Sequence, residues 1–140
     1  MVGSRRRARG YALQVLHALD ANPGESARGA VDRYGALFDI ELDPESLQFA
    51  AELVERTAGE REAIDEILQR ASRNWRLERM SRVDRNILRM STCELRDDPS
   101  MPTKVIINEA VELAKEFGAE ESASFVNGLL DRIAHELRPE

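Results

Sequence analysis

A single cysteine, Cys93, stands in 140 residues, so no internal disulfide can form and a reducing compartment is expected. Histidine is almost as scarce. His17 and His135 lie far apart, and neither belongs to a Cys, His or Asp cluster at metal-ligand spacing. No apolar run approaches the ~18 residues of a membrane span. No uninterrupted apolar stretch follows the charged N-terminus as it would in a secretory signal. The eight glycines are scattered instead of forming a phosphate-cradling loop. β-branched alternation is missing, which argues against strands. Little is left for catalysis. Cys93 sits in a predicted helix without an obvious base and reads as a small core residue, while Asp97 and Asp98 beside Pro99 read as turn formers. No enzyme activity, cofactor or metal is expected.

What is present begins with charge. Arg5, Arg6, Arg7 and Arg9 precede the first acidic residue, Asp20, in a chain of net charge −6. The other sixteen of the 20 Lys+Arg residues face all 26 Asp+Glu, so residues 20–140 carry −10 against +4 for residues 1–19. A cationic head on an acidic body suggests a local target for polyanions. Ser4 can cap a helix running to about residue 19, which puts the arginines in its first turns. There the helix dipole disfavours cations by about 0.3–1 kcal/mol each, and an incoming phosphate would offset that cost. Ala8, Tyr11, Ala12, Val15, Leu16 and Leu19 form one apolar stripe on this helix. Arg6 falls off the stripe near Leu13 and His17, and Arg7 near Gln14. Bases could stack or hydrogen-bond beside phosphates on such a face, so nucleic acid is favoured over a merely solvated basic end.

The rest of the chain reads as helices separated by glycine and proline, one domain over residues 1–140, with 42% apolar and 33% charged residues as in a soluble protein. Pro23-Gly24 ends the first helix, and a weaker second is expected over residues 25–37. Asp43-Pro44-Glu45 is an N-cap with proline at the first helical position. Behind it, Leu47, Ala50, Ala51, Leu53 and Val54 form a stripe ending near Thr57. Gly59 separates this from a helix carrying Ile64, Ile67, Leu68 and Ala71. Ser81 caps the next, with Asp84 completing a shortened capping box, and Val83, Ile87, Leu88, Met90 and Leu95 supply its buried side. Asp98-Pro99-Ser100-Met101-Pro102 is the clearest loop. A helix ends at Phe117 with Gly118 as its stop, and Ser122 caps the last, packed through Phe125, Val126, Leu129, Leu130 and Ile133. Seven helices with short connections define an all-α fold.

A second arginine series, Arg70, Arg73, Arg76, Arg79, Arg82, Arg85 and Arg89, is opposed over residues 70–89 only by Glu78 and Asp84. Trp75 and Met80 lie among them. Two readings stay open: a solvated surface with arginine stems around Trp75, or a protein contact surface, for which Trp, Met and Arg are enriched.

Three blocks together resemble the NusB family of bacterial transcription antitermination factors. They are Arg5-Arg6-Arg7-Ala8-Arg9 with Ala12-Leu13-Gln14; residues 75–95, reading WRLERMSRVDRNILRMSTCEL; and residues 102–131, reading PTKVIINEAVELAKEFGAEESASFVNGLLD. Residues 21–58 match only in helical pattern. The resemblance implies two small helical bundles packed together and a cytoplasmic, non-enzymatic adaptor. Such an adaptor pairs with the small ribosomal-subunit protein NusE. The pair binds single-stranded boxA RNA and helps RNA polymerase resist termination, notably on ribosomal RNA operons. Some family members dimerise, so a homodimer is among the expected partners. Positions matching the family's RNA surface are Arg5, Arg6, Arg7, Arg9, His17, Phe117, Glu121, Ser124 and Phe125. Asp84 matches an acidic position at the NusE interface, with Arg76, Leu77 and Met80 as neighbours. Asn108 and Asn127 read as interhelix or cap hydrogen-bonders.

Arginines supply phosphate attraction and phenylalanines stacking platforms, and Glu121 can accept from exocyclic amines. Many relatives have tyrosine at the His17 position, which makes stacking there weaker or pH-sensitive. Ser124 replaces a frequent basic residue, which predicts low RNA affinity without NusE. Four neutralised phosphates predict a log–log salt slope of about −3 on a single strand. Two other readings are kept: a detached RNA-binding module related to ribosomal RNA methyltransferases, since 140 residues leave no room for a methyl-donor domain, and a self-associating interaction module.

Overall fold

The computed structural model describes residues 2–38 and 42–139. Among them the regular structure is seven α-helices and one 3-10 turn: α1 Val2–Ala21, α2 Ala27–Phe38, α3 Pro44–Gly59, α4 Arg61–Ala71, the turn Leu77–Arg79, α5 Arg82–Asp97, α6 Thr103–Phe117 and α7 Ser122–Leu137. The chain divides into two compact units, Met1–Gly59 and Glu60–Glu140.

In the first unit α1, α2 and α3 pack pairwise. The α1 stripe buries Ala8, Tyr11, Ala12, Val15 and Leu16, against Ala30 and Val31 of α2 and Ala50, Ala51, Leu53 and Val54 of α3. Tyr11 carries a hydroxyl into this core, and it donates to the Val31 carbonyl. Two expected helix starts change. Helix α1 already runs from Val2, so Ser4 lies inside it and caps nothing. Helix α2 begins two residues later than expected because Ser26 caps it, its hydroxyl accepting from the Gly29 N–H at 3.0 Å. The expected Asp43 cap forms. Its carboxylate accepts from the Ser46 N–H at 2.8 Å and from the Ser46 hydroxyl at 3.0 Å.

In the second unit α5 is the central element, packed on α4, α6 and α7. Every residue from 86 to 95 is buried, including Asn86, Arg89, Ser91, Thr92 and Glu94. Cys93 is buried as expected. The end of α5 is closed from a distance. Arg138 donates to the carbonyls of Glu94, Leu95, Asp98 and Met101 and to the Thr103 hydroxyl. Carbonyls at a helix C-terminus lack intrahelical donors, and a guanidinium supplies several at once.

Candidate functional site

The first unit presents the arginine head. Arg5 and Arg7 are exposed and Arg6 is half-buried, and no acidic residue occupies the first turn of α1. Arg9 departs from expectation, being only 3% exposed. Ala12, Leu13 and Leu16, its neighbours one and two turns on along the same face, are buried too, so its position belongs to the packed side of the helix and it is no open phosphate ligand. The guanidinium carbons of Arg5 and Arg9 lie 4.1 and 5.2 Å from the ring centroid of Phe49 on α3. Both fall within cation–π range. Phe49 carries no periodic or motif signal of its own, and only packing reveals its link to the arginines. Leu13 is also buried, so Arg6 borders the core on that side, while His17 is exposed three turns further along α1.

The second unit carries a cavity of about 450 Å³. Trp75, Arg79, Met80, Asp84, Glu121 and Phe125 are among its lining residues. Two sets of residues singled out separately in the sequence therefore meet: Glu121 and Phe125 from the expected RNA surface, Met80 and Asp84 from the expected partner surface. Local chemistry explains the arrangement. Ser81 caps α5 as expected, its hydroxyl accepting from the Asp84 N–H at 3.1 Å. The reciprocal half of the capping box is not made by Asp84 Oδ1, which is buried and has no hydrogen-bond partner. A shortened carboxylate cannot span the gap that glutamate closes. Opposite, Gly118 ends α6 with φ −98°, an extended and not a left-handed residue. The site still requires glycine, because a Cβ would lie 2.6 Å from Ser122 Oγ and 2.8 Å from the Ala114 carbonyl. Ser122 does not cap α7. Its hydroxyl accepts from the Ala119 N–H at 2.9 Å and so closes the turn that sets Glu121 and Phe125 in place.

Other expected residues take other places. Phe117 is half-buried and Ser124 exposed, and neither lines the cavity. Phe125 is half-buried, with part of its surface open to the cavity. Met80 is largely buried, so only an edge is available to a partner. Arg76 is exposed and Leu77 half-buried. Asn108 and Asn127, expected to tie helices together, stand exposed on α6 and α7.

The second arginine series splits. Arg89 is buried and binds Asp65 through both carboxylate oxygens, Arg85 donates to the Leu77 carbonyl at 3.1 Å, and Arg70 pairs with Glu136. Arg73, Arg76, Arg79 and Arg82 are exposed, Arg79 sharing the cavity wall with Trp75, which is 48% exposed. The series is thus part internal scaffold and part surface. Among the described residues, no group of three or more His, Cys, Asp or Glu could hold a metal ion. No described helix is long and apolar enough to cross a membrane.

An all-α protein with a basic helix face and an aromatic-lined cavity of this kind has close counterparts. The sequence model of the NusB family matches residues 6–135. The transcription antitermination protein NusB of Myxococcus xanthus is 48% identical over 134 residues, covering 95% of this chain and 96% of the relative. That of Sorangium cellulosum is 48% identical over 136 residues, covering 97% and 95%. T. maritima NusB superposes with a TM-score of 0.85 at 35% identity, over 96% of this chain and 93% of that one. A crystal structure of antitermination factors NusB and NusE in complex with double-stranded RNA matches with a TM-score of 0.85 at 27% identity, over 97% and 99%. The chain belongs to the NusB family.

Proposed function

We propose that this protein is a transcription antitermination factor, a non-enzymatic adaptor that binds boxA RNA in nascent transcripts and pairs with NusE. Working in the cytoplasm with RNA polymerase, it would act notably on ribosomal RNA operons. The near-full-length match to antitermination relatives carries this reading. The solved complex of related NusB and NusE with RNA supports both partners. Residues 1–140 would then serve as one RNA- and protein-binding domain, able in addition to pair with a second copy.

The two surfaces divide the work. Arg5 and Arg7, with Arg6 beside them, attract phosphates, and His17 extends the same helix as a weaker stacking position. In the second unit Phe125 offers a ring and Glu121 a carboxylate that can accept from exocyclic amines of an unpaired base. Phe117 and Ser124 would contribute from the flanks. Asp84, Met80, Leu77 and Arg76 form the side that meets NusE, and one cavity joins the two roles.

Fluorescence anisotropy with a boxA-like RNA and a scrambled control, with and without NusE, tests the reading. Selective strengthening of boxA binding by NusE, lost in an Arg5→Ala/Arg7→Ala variant, is the expected result. Failure of NusE to bind at all would overturn it.

A further inference from the structure

Phe49 is half-buried on α3, yet its ring lies under two cations from one line of α1, Arg5 and Arg9, four residues apart. Like charges at this spacing repel on a helix surface. The electron-rich face of an aromatic ring attracts both and offsets that repulsion. The two arginines are not equivalent: Arg9 is buried and Arg5 exposed. An arginine side chain otherwise samples many rotamers, and ordering it on binding weakens association. A guanidinium that stacks by its face keeps its N–H donors free for in-plane acceptors such as phosphate oxygens.

We propose that Phe49 is a positioning residue for RNA binding: its ring holds Arg5 at the outer edge of the arginine face, with Arg9 buried beside it, so that Arg5 meets a phosphate already in place. This rests on the RNA-binding role proposed for that face. Phe49 itself touches no RNA. Its contribution passes through Arg5, and that distinguishes it from a residue that merely fills the core.

The experiment measures anisotropy of a short, labelled, single-stranded boxA-like RNA with the full chain and NusE. It compares wild type, Arg5→Ala, Phe49→Leu, Phe49→Tyr and the Arg5→Ala/Phe49→Leu double variant, with thermal melting to verify the fold. Phe49→Leu should weaken binding about three- to fivefold while Phe49→Tyr keeps wild-type affinity, because tyrosine retains the ring. The double variant should bind no more weakly than Arg5→Ala alone. Phe49→Met, also ringless, replaces the leucine variant if that one melts early. Additive losses, or wild-type affinity in a folded ringless variant, overturn the proposal. Wild-type affinity in Arg5→Ala overturns it too. No RNA binding by the wild-type chain with NusE would refute instead the reading on which it rests.

Discussion

Arg89 of α5 grips Asp65 of α4 with two parallel bonds, Nε to Oδ1 at 2.8 Å and Nη2 to Oδ2 at 3.0 Å, while its third nitrogen donates to Asn86. The arginine side chain is 5% exposed and the aspartate 25%, so the pair sits at the edge of the core of the second unit. Removing one partner strands the other away from water. Asp65→Ala is expected to cost about 2–3 kcal/mol in urea unfolding. An Asp65→Leu/Arg89→Met double variant should recover part of that loss, because an apolar pair leaves no orphaned charge.

Two glycines of the second unit should respond in opposite ways to alanine. At Gly118 a methyl would collide with Ser122 and with the backbone of Ala114, and backbone cannot step aside cheaply. Gly118→Ala is expected to destabilise by about 1–3 kcal/mol and to disturb the turn carrying Glu121. At Gly128, inside α7, nothing lies within 4 Å of an added Cβ. Gly128→Ala should stabilise by about 0.5–1 kcal/mol through helix propensity. Thermal melting of the two variants checks both signs.

The Ser46 N–H and hydroxyl hold the Asp43 carboxyl below the usual carboxylate range. A carboxylate depressed in the folded state contributes stability above its unfolded pKa, about 3.9, and that contribution fades as pH falls through the lower folded value. Wild type should therefore melt above Asp43→Ala at neutral pH, with the gap narrowing below about pH 4. A gap that widened in acid would contradict the cap.

Burial of Arg9 changes the expected salt response. With three instead of four arginines facing solution, the log–log slope for single-stranded RNA should be about −2 instead of about −3. Arg5→Ala and Arg7→Ala should each make the slope shallower by about 0.7. Anisotropy titrations across a range of salt concentrations measure it.

Helices, connecting loops and the α1 stripe were legible because apolar periodicity is local, and so were the caps at Asp43 and Ser81, each set by a residue bonding three positions ahead. Arg9, Arg89 and the all-round burial of α5 were not. A pattern of polar and apolar letters assigns arginine to solvent, whereas burial here depends on groups far along the chain: Phe49 beside Arg9, Asp65 against Arg89. Gly118 was legible as a stop but for a different cause, since steric approach by Ser122 and not a left-handed backbone excludes larger residues. The meeting of Met80 and Asp84 with Glu121 and Phe125 in one cavity needed the folded chain, because nearly forty residues separate the two segments.

Synthesis runs from the N-terminus, and Arg138 gives that direction a consequence. The first unit is contiguous, so residues 1–59 are all translated before any of the second. The carbonyls of Glu94, Leu95, Asp98 and Met101 are made some forty residues before the guanidinium that binds them. Until the ribosome reaches residue 138, only local backbone N–H groups, as at Glu94 and Asp98, and water can serve those carbonyls. The unit that carries Arg5, Arg6 and Arg7 is therefore made whole before the second unit has its last donor.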